Sequence, residues 1–232
     1  VITVSRNEQI LQKIKGGLIV SCQALKTEPL YSSYIMSRMA FAAKEGGAAG
    51  IRANTPEDIR EIKKAVDLPI IALYKVDYPD SPIYITPTEK EVEELIEVNS
   101  EIIALDATNR VRPGGMSLDE FFGKIRKKYP DQLFMADCAT FEEGMHAQEI
   151  GFDIVGTTMS GYTEDTKGVS LPNHTMIKRL GDALNVPLIA EGGIWELQDL
   201  KLVVKEKVHA VVIGSAITRP REITARYVKA IS

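Results

Sequence analysis

The sequence predicts an α/β protein folded as a single (β/α)8 barrel over residues 1–232. Three observations carry that expectation. Eight short runs of continuous apolar residues recur along the chain, helical patterns opened by capping residues separate them, and no linker or low-complexity tract divides the whole. Continuous rather than alternating apolarity marks strands buried on both faces, as in a parallel sheet. One strand–helix unit per ~20–35 residues is the repeat that closes as an eight-stranded barrel. An open doubly wound sheet is the structural competitor, disfavoured because no GxGxxG follows the first strand.

Taken in order, the residues around Asn7 to Lys15, within a leading segment 1–16, read as an extra helix covering the barrel bottom. The first strand is expected over 17–23 and the second over 47–53. Thr55-Pro56-Glu57-Asp58 then opens a helix, with Thr as N-cap, Pro in the first turn and an acid at the third helical position. Ile59, Ile62, Lys63 and Val66 follow at the 3.6-residue spacing of a helix packed on a sheet. The third strand is expected over 69–75, before the capping box Thr88-Glu89-Lys90-Glu91 and its apolar Val92, Leu95 and Ile96. The fourth and fifth strands, over 101–108 and 133–138, are each followed by a box: Ser117-Leu118-Asp119-Glu120 and Thr140-Phe141-Glu142-Glu143. In each box the hydroxyl and the acid satisfy amides that a helix start leaves orphaned. Runs over 153–158, 187–193 and 210–215 complete the set.

Composition sets the outer bounds. With 44% hydrophobic and 26% charged residues and a mean hydropathy of −0.06, the chain is an ordinary globular protein. A chain of this length buries about 70% or more of its unfolded surface and needs no disulfide or structural metal. Cys22 and Cys138 lie far apart in sequence, which excludes a zinc ribbon, a CxxC redox site and a disulfide framework. A net charge of −4, from 28 Lys+Arg against 32 Asp+Glu, provides no positive field for nucleic acid or anionic lipid. The N-terminal residues lack the order of a signal peptide, and no apolar run approaches the ~20 residues of a membrane helix. A cytoplasmic protein is expected, with neither nucleic acid nor membrane as partner.

Chemistry in such barrels gathers where strands end and βα loops begin. Reading those ends gives Gln23, Arg52, Lys75, Asp106, Asp137, Thr157 and Thr158, Glu191 and the Gly214-Ser215 turn. Desolvating an uncompensated ion costs several kcal/mol, so this many ionisable residues at one end of a sheet suggest a polar pocket. Gly192-Gly193 after the seventh strand and Gly214-Ser215 after the eighth occupy the loops that commonly hold phosphate, with Arg219 able to add a bidentate contact. The alternative is that these glycines only make tight turns. Lys75 is either a proton-transferring amine, its pKa lowered by burial or by a neighbour such as Arg52, or one half of a structural ion pair with Asp77, Asp106 or Glu191. Glu191, Asp137 and Asp106 each admit an acid–base or a structural role, and Asp106 is placed to bond the following loop through Thr108. His146, His174 and His209 fall away from the strand ends and form no metal-binding pair. An oxygen site for Mg²⁺ from Asp106, Asp137 and Glu191 is the weaker reading, and no metal is expected.

At this point the residues resemble the N-acetylmannosamine-6-phosphate 2-epimerase family. The resemblance runs through the segment 17–23, Gly50-Ile51-Arg52-Ala53, Lys75 with Asp77-Tyr78, Ile103 to Thr108 and Met135-Ala136-Asp137. It continues through Gly156 to Thr163, Ile189-Ala190-Glu191-Gly192 and Gly214 to Pro220, covering nearly the whole chain. It implies that Lys75 is the catalytic proton shuttle and Glu191 its carboxylate partner. It further implies substrate contacts by Gln23, Arg52 and Asp137, and phosphate contacts through Gly192, Gly193, Gly214, Ser215 and Arg219. Where the family often has Lys-Arg-Asp-Tyr, this chain has Lys75-Val76-Asp77-Tyr78, so no cation adjoins the lysine in sequence. The implied reaction inverts C2 of an open-chain N-acetylated aldose 6-phosphate without a cofactor. Its partner is that small phosphosugar, and a homodimer is left open as the assembly. Three other readings compete: a Schiff-base aldolase, a metal-dependent ribulose-phosphate epimerase and a non-catalytic phosphosugar sensor.

Overall fold

The computed structural model describes residues 4–232. Eight parallel strands close into a barrel in chain order: β1 (Leu18–Cys22), β2 (Gly50–Asn54), β3 (Ile70–Leu73), β4 (Ile102–Asp106), β5 (Leu133–Asp137), β6 (Ile154–Gly156), β7 (Leu188–Glu191) and β8 (Ala210–Ile213). The last pairs with the first, Leu18 opposite Val211 and Val20 opposite Ile213. Closure leaves no edge strand, and the continuous apolar runs are explained by burial on both faces.

Ten helices accompany the strands among the described residues: α1 (Arg6–Ile14), α2 (Ser33–Glu45), α3 (Pro56–Ala65), α4 (Glu89–Glu97), α5 (Leu118–Lys128), α6 (Phe141–Glu149), α7 (His174–Ala183), α8 (Leu197–Val203), α9 (Ser215–Thr218) and α10 (Pro220–Ile231). The capping signals are realised. Thr88, Ser117 and Thr140 form reciprocal boxes with Glu91, Glu120 and Glu143, and the Thr55 side chain accepts from the Asp58 amide. The apolar stripes face inward, burying Ile59 and Ile62 of α3 and Val92 and Leu95 of α4.

The core has two shells set by strand parity. Outward residues such as Ile51, Ala53, Phe134, Ala136 and Val211 pack beneath the helices. Inward residues such as Ile19, Ile71, Ile102, Leu133, Ile154 and Ile189 fill the barrel, where Ile10 and Ile14 of α1 join them. α1 therefore covers the bottom, and two further bonds fix it there. His209 Nε2 lies 2.8 Å from the Leu11 carbonyl, and Asn7 Nδ2 donates to the Asp131 carbonyl. Residues 1–3 of the anticipated leading segment lie outside the described residues.

Two boundaries differ from the sequence reading in ways that matter. The second strand begins at Gly50 rather than 47, because Gly47-Ala48-Ala49 serves as the tail of α2, with the Ala48 amide bonded to the Ala43 carbonyl. Arg52 is thus at the middle of β2, not at its end. The third strand stops at Leu73, and the chain then doubles back instead of entering a helix. Lys75 bridges antiparallel to Ile85, the Val76 amide donates to the Tyr84 carbonyl, and Thr86 ties the return to the Ala104 carbonyl. Pro79, Pro82 and Pro87 along this segment disfavour a helix there.

Candidate active site

The parity that sends Ile19 and Ile71 into the barrel also sends in Ser21 on β1 and Gln23 just beyond it, Arg52 and Asn54 on β2, and Lys75 beyond β3. It does the same for Asp137 on β5, Glu191 on β7 and Thr158 beyond β6. Side-chain direction alternates along a strand, so every second residue shares the interior. The carboxyl-terminal mouth of the barrel is consequently polar, while the layers below it are aliphatic.

Arg52 is the hub. It is buried, and its guanidinium grips the equally buried Asp137 with two bonds, Nη2 to Oδ2 at 2.6 Å and Nη1 to Oδ1 at 3.1 Å. The same Nη1 lies 3.2 Å from Oε2 of Glu191. Thr158 Oγ1 sits between the carboxylates, 2.7 Å from Asp137 Oδ1 and 3.2 Å from Glu191 Oε2. The two negative charges are held close together by one cation and one hydroxyl. Arg52 Nε is buried with no protein partner. Below, Met135 Sδ lies 3.7 Å from Nη1, and Gly156 makes room for it: a Cβ there would fall 2.3 Å from Met135 Cε.

Lys75 stands apart from this network. Its amide donates to Asn54 Oδ1 at 2.8 Å, which fixes the backbone, but none of the ion pairs among the described residues includes its amine. The structural pairing with Asp77, Asp106 or Glu191 is absent there. Its pKa is lowered to about 8, by burial first and then by the positive charges of Arg52 and Arg219, with Glu191 and Asp137 opposing. No cation adjoins Lys75 in sequence, and the two arginines that lower its pKa come from elsewhere in the chain. Glu191 is pushed the other way: burial raises its pKa, Arg52 pulls it down, and Asp137 raises it again, for a net rise. Burial disfavours a charged Arg52, but Asp137 and Glu191 outweigh it, so the guanidinium holds its proton more tightly than usual. An amine lowered towards neutrality and a carboxyl raised towards protonation, in one cleft, have the proton affinities that acid–base chemistry requires.

Asp106 is drawn elsewhere. Oδ1 accepts from the Thr108 amide at 3.0 Å and from its hydroxyl, as the loop reading anticipates, and Oδ2 accepts from Arg110 at 2.6 Å. The three carboxylates weighed as an oxygen set for Mg²⁺ are thus engaged by two arginines.

Gly192 and Gly193 have φ of +111° and +71°, conformations that favour glycine. At Gly193 space is decisive too, since a Cβ would lie 2.3 Å from Leu171 Cβ. The turn reading accounts for this glycine even without a ligand. Gly214 caps the short α9, which begins at Ser215, and a Cβ there would come 3.2 Å from Ser21 Cβ. Arg219 pairs with Glu28, in the loop that follows the neighbouring strand β1. Gln23 donates from Nε2 to Ser21 Oγ, while its Oε1 is buried without a partner.

Sequence reasoning missed Asn54 and Glu28. Asn54 was legible only with the correct end of β2. Glu28 carried no signal, because its partner lies 191 positions away.

Comparison with known proteins follows this geometry. Residues 36–232 match a family model described as "Putative N-acetylmannosamine-6-phosphate epimerase". A Clostridioides difficile protein described as "Putative N-acetylmannosamine-6-phosphate 2-epimerase" is 54% identical over 222 residues, spanning 96% of this chain and 99% of its own length. A protein of the same description from Caldanaerobacter subterraneus is 50% identical over 94% of this chain and 92% of its own. Among solved structures, the N-acetylmannosamine-6-phosphate 2-epimerase from Clostridium perfringens superposes with a TM-score of 0.92 at 46% identity, covering 99% of this chain and 100% of that one. A thiamine phosphate pyrophosphorylase from Pyrococcus furiosus, at 16% identity and a TM-score of 0.60 over 93% of each chain, shares the fold alone.

Proposed function

The chain belongs to the N-acetylmannosamine-6-phosphate epimerase family, and on that premise we propose how the barrel mouth carries out the reaction. The enzyme interconverts N-acetylmannosamine 6-phosphate and N-acetylglucosamine 6-phosphate by inverting C2.

In the open-chain sugar, C2 adjoins the C1 aldehyde, so loss of its proton gives an enolate whose negative charge rests largely on oxygen. Lys75 in its neutral form takes that proton. Arg52, held rigidly by Asp137, supplies fixed positive charge to the developing oxyanion, with Gln23 as a further polar contact. Return of a proton to the opposite face inverts the centre. Glu191, its pKa raised, is the donor or polarises a substrate hydroxyl that donates. A proton leaves C2 and a proton returns, with C2 at the same oxidation level before and after, so the reaction as written calls for no redox cofactor. Backbone amides at Gly192, Gly193, Gly214 and Ser215, with Arg219, take the phosphate, and that remote grip orients the reacting carbon. Such a sugar phosphate is anionic and does not cross a bilayer unaided, which favours a cytoplasmic reaction.

The observation that carries this reading is an amine in no ion pair among the described residues, lowered to about 8, in the same mouth as Glu191. Lys75→Ala should abolish deuterium incorporation at C2 when N-acetylmannosamine 6-phosphate is incubated in D2O and followed by proton NMR. Exchange at the parent rate in that variant would falsify the assignment.

A further inference from the structure

We propose that Glu28 is a positioning residue that holds Arg219 ready for the phosphate group of the sugar. The inference rests on the reading of Arg219 as a phosphate ligand.

Glu28 lies in the loop between β1 and α2 and is mostly enclosed, with 11% of its side chain exposed. Its two oxygens meet the two terminal nitrogens of Arg219 end on, Oε1 3.2 Å from Nη1 and Oε2 3.3 Å from Nη2. The Leu25 amide donates to Oε2 at 2.7 Å, which fixes the carboxylate from behind. Arg221 Nη2 stands 3.7 Å from Oε1 as a second, more exposed cation. A guanidinium has five N–H donors, so an end-on pair leaves Nε–H and the outer N–H groups unspent. Arg219 also lines a recess of about 130 Å³ together with Gln23, Glu28 and Thr218.

A separate bond ties the end of α9 to β1: Thr218 Oγ1 donates to the Ser21 carbonyl at 2.6 Å, with the Gly214 carbonyl 3.1 Å away. What Glu28 adds is orientation of a long side chain that otherwise sweeps many rotamers. Immobilising such a side chain before binding removes an ordering cost that the ligand must otherwise offset. The effect belongs to binding and is the same in ground and transition states, so it moves KM rather than kcat.

The test compares the parent enzyme with Glu28→Gln, Arg219→Ala and the double variant. Steady-state turnover of N-acetylmannosamine 6-phosphate is measured beside calorimetric binding of inorganic phosphate. Glu28→Gln keeps the shape but loses the charge, and it should raise both KM and the phosphate Kd roughly 3- to 10-fold. It should leave kcat within about twofold. Glu28→Asp, which keeps the charge but retracts it, should fall between and serves if the amide variant folds poorly. Arg219→Ala should weaken phosphate further, and adding Glu28→Gln to it should change nothing more, because the carboxylate acts through the arginine. An unchanged KM and Kd in Glu28→Gln, or losses that multiply in the double variant, would overturn the inference while leaving the phosphate site standing. Unchanged phosphate binding in Arg219→Ala would instead remove the arginine from that site, and this inference with it. A parent enzyme that binds phosphate but does not turn over the sugar would contradict the epimerase reading alone.

Discussion

Lys75 shows how one side chain acquires a function from its surroundings. An ordinary lysine at pH 7 is neutral in fewer than about one molecule in a thousand, whereas a pKa of about 8 makes the neutral fraction roughly one in ten. In the proposed mechanism the base is that minority form. Raising the pH removes the amine's proton, so the rate should climb up to about 8 rather than to the ordinary value; above that it levels off where Glu191 acts through a substrate hydroxyl and falls where the Glu191 carboxyl is itself the donor. The limb near pH 8 should appear in kcat/KM, which reports the free enzyme. Arg219 is one of the charges that lowers this amine, so Arg219→Ala should move the limb to higher pH. A limb that stays near pH 8 in that variant would show that the arginine's field does not reach the base. The lysine itself was legible in the sequence as a charge closing an apolar run. Its freedom from ion pairs was not, since Asp77, Asp106 and Glu191 were all candidates until the fold assigned Asp106 to Arg110 and Glu191 to Arg52.

At the level of the strands, the site is an outcome of alternation. Asp137 closes β5 and Glu191 closes β7, while Arg52 sits mid-strand on β2 and reaches both across the interior. Its position within the strand was obscured because Gly47-Ala48-Ala49 is small and apolar and continues the strand's composition into a loop. Pairing a buried arginine with a buried aspartate is costly to disturb from one side only, for the remaining charge is left desolvated. Asp137→Ala should therefore lower the unfolding free energy by about 3–5 kcal/mol in a chemical denaturation series. A loss below about 1 kcal/mol would mean that Glu191 and Thr158 compensate Arg52 by themselves. The return of the chain after β3, which carries Lys75 past the end of its strand, was invisible to strand and helix patterns because it is built from two isolated bridges and the Thr86 side chain.

Across the whole molecule, the chemistry is confined to one end of the barrel, and the opposite end serves stability alone. The mouth gathers Arg52, Lys75, Asp137 and Glu191, whereas the bottom is closed by α1, with Ile14 buried against the interior core and 3.3 Å from where a Cβ of Gly50 would stand. Ile14→Ala should cost about 2–5 kcal/mol of stability by opening a cavity. At temperatures where the variant remains folded, kcat should match the parent's. A large fall in kcat without loss of structure would contradict this separation. No helix among the described residues is long and apolar enough to cross a membrane.

The sequence by itself determined the eight strands, the capped helices between them and the identity of most polar residues at the mouth. Those features are written in local order: apolar runs, hydroxyl–acid spacings and charges at run ends each depend on neighbours a few positions away. The tertiary structure alone decided which charges meet. Arg52 to Asp137 spans 85 positions and Arg219 to Glu28 spans 191, and only barrel closure brings such groups within bonding distance. Burial, which moves the proton affinities of Lys75 and Glu191 in opposite directions, is likewise a property of the closed molecule and not of any segment.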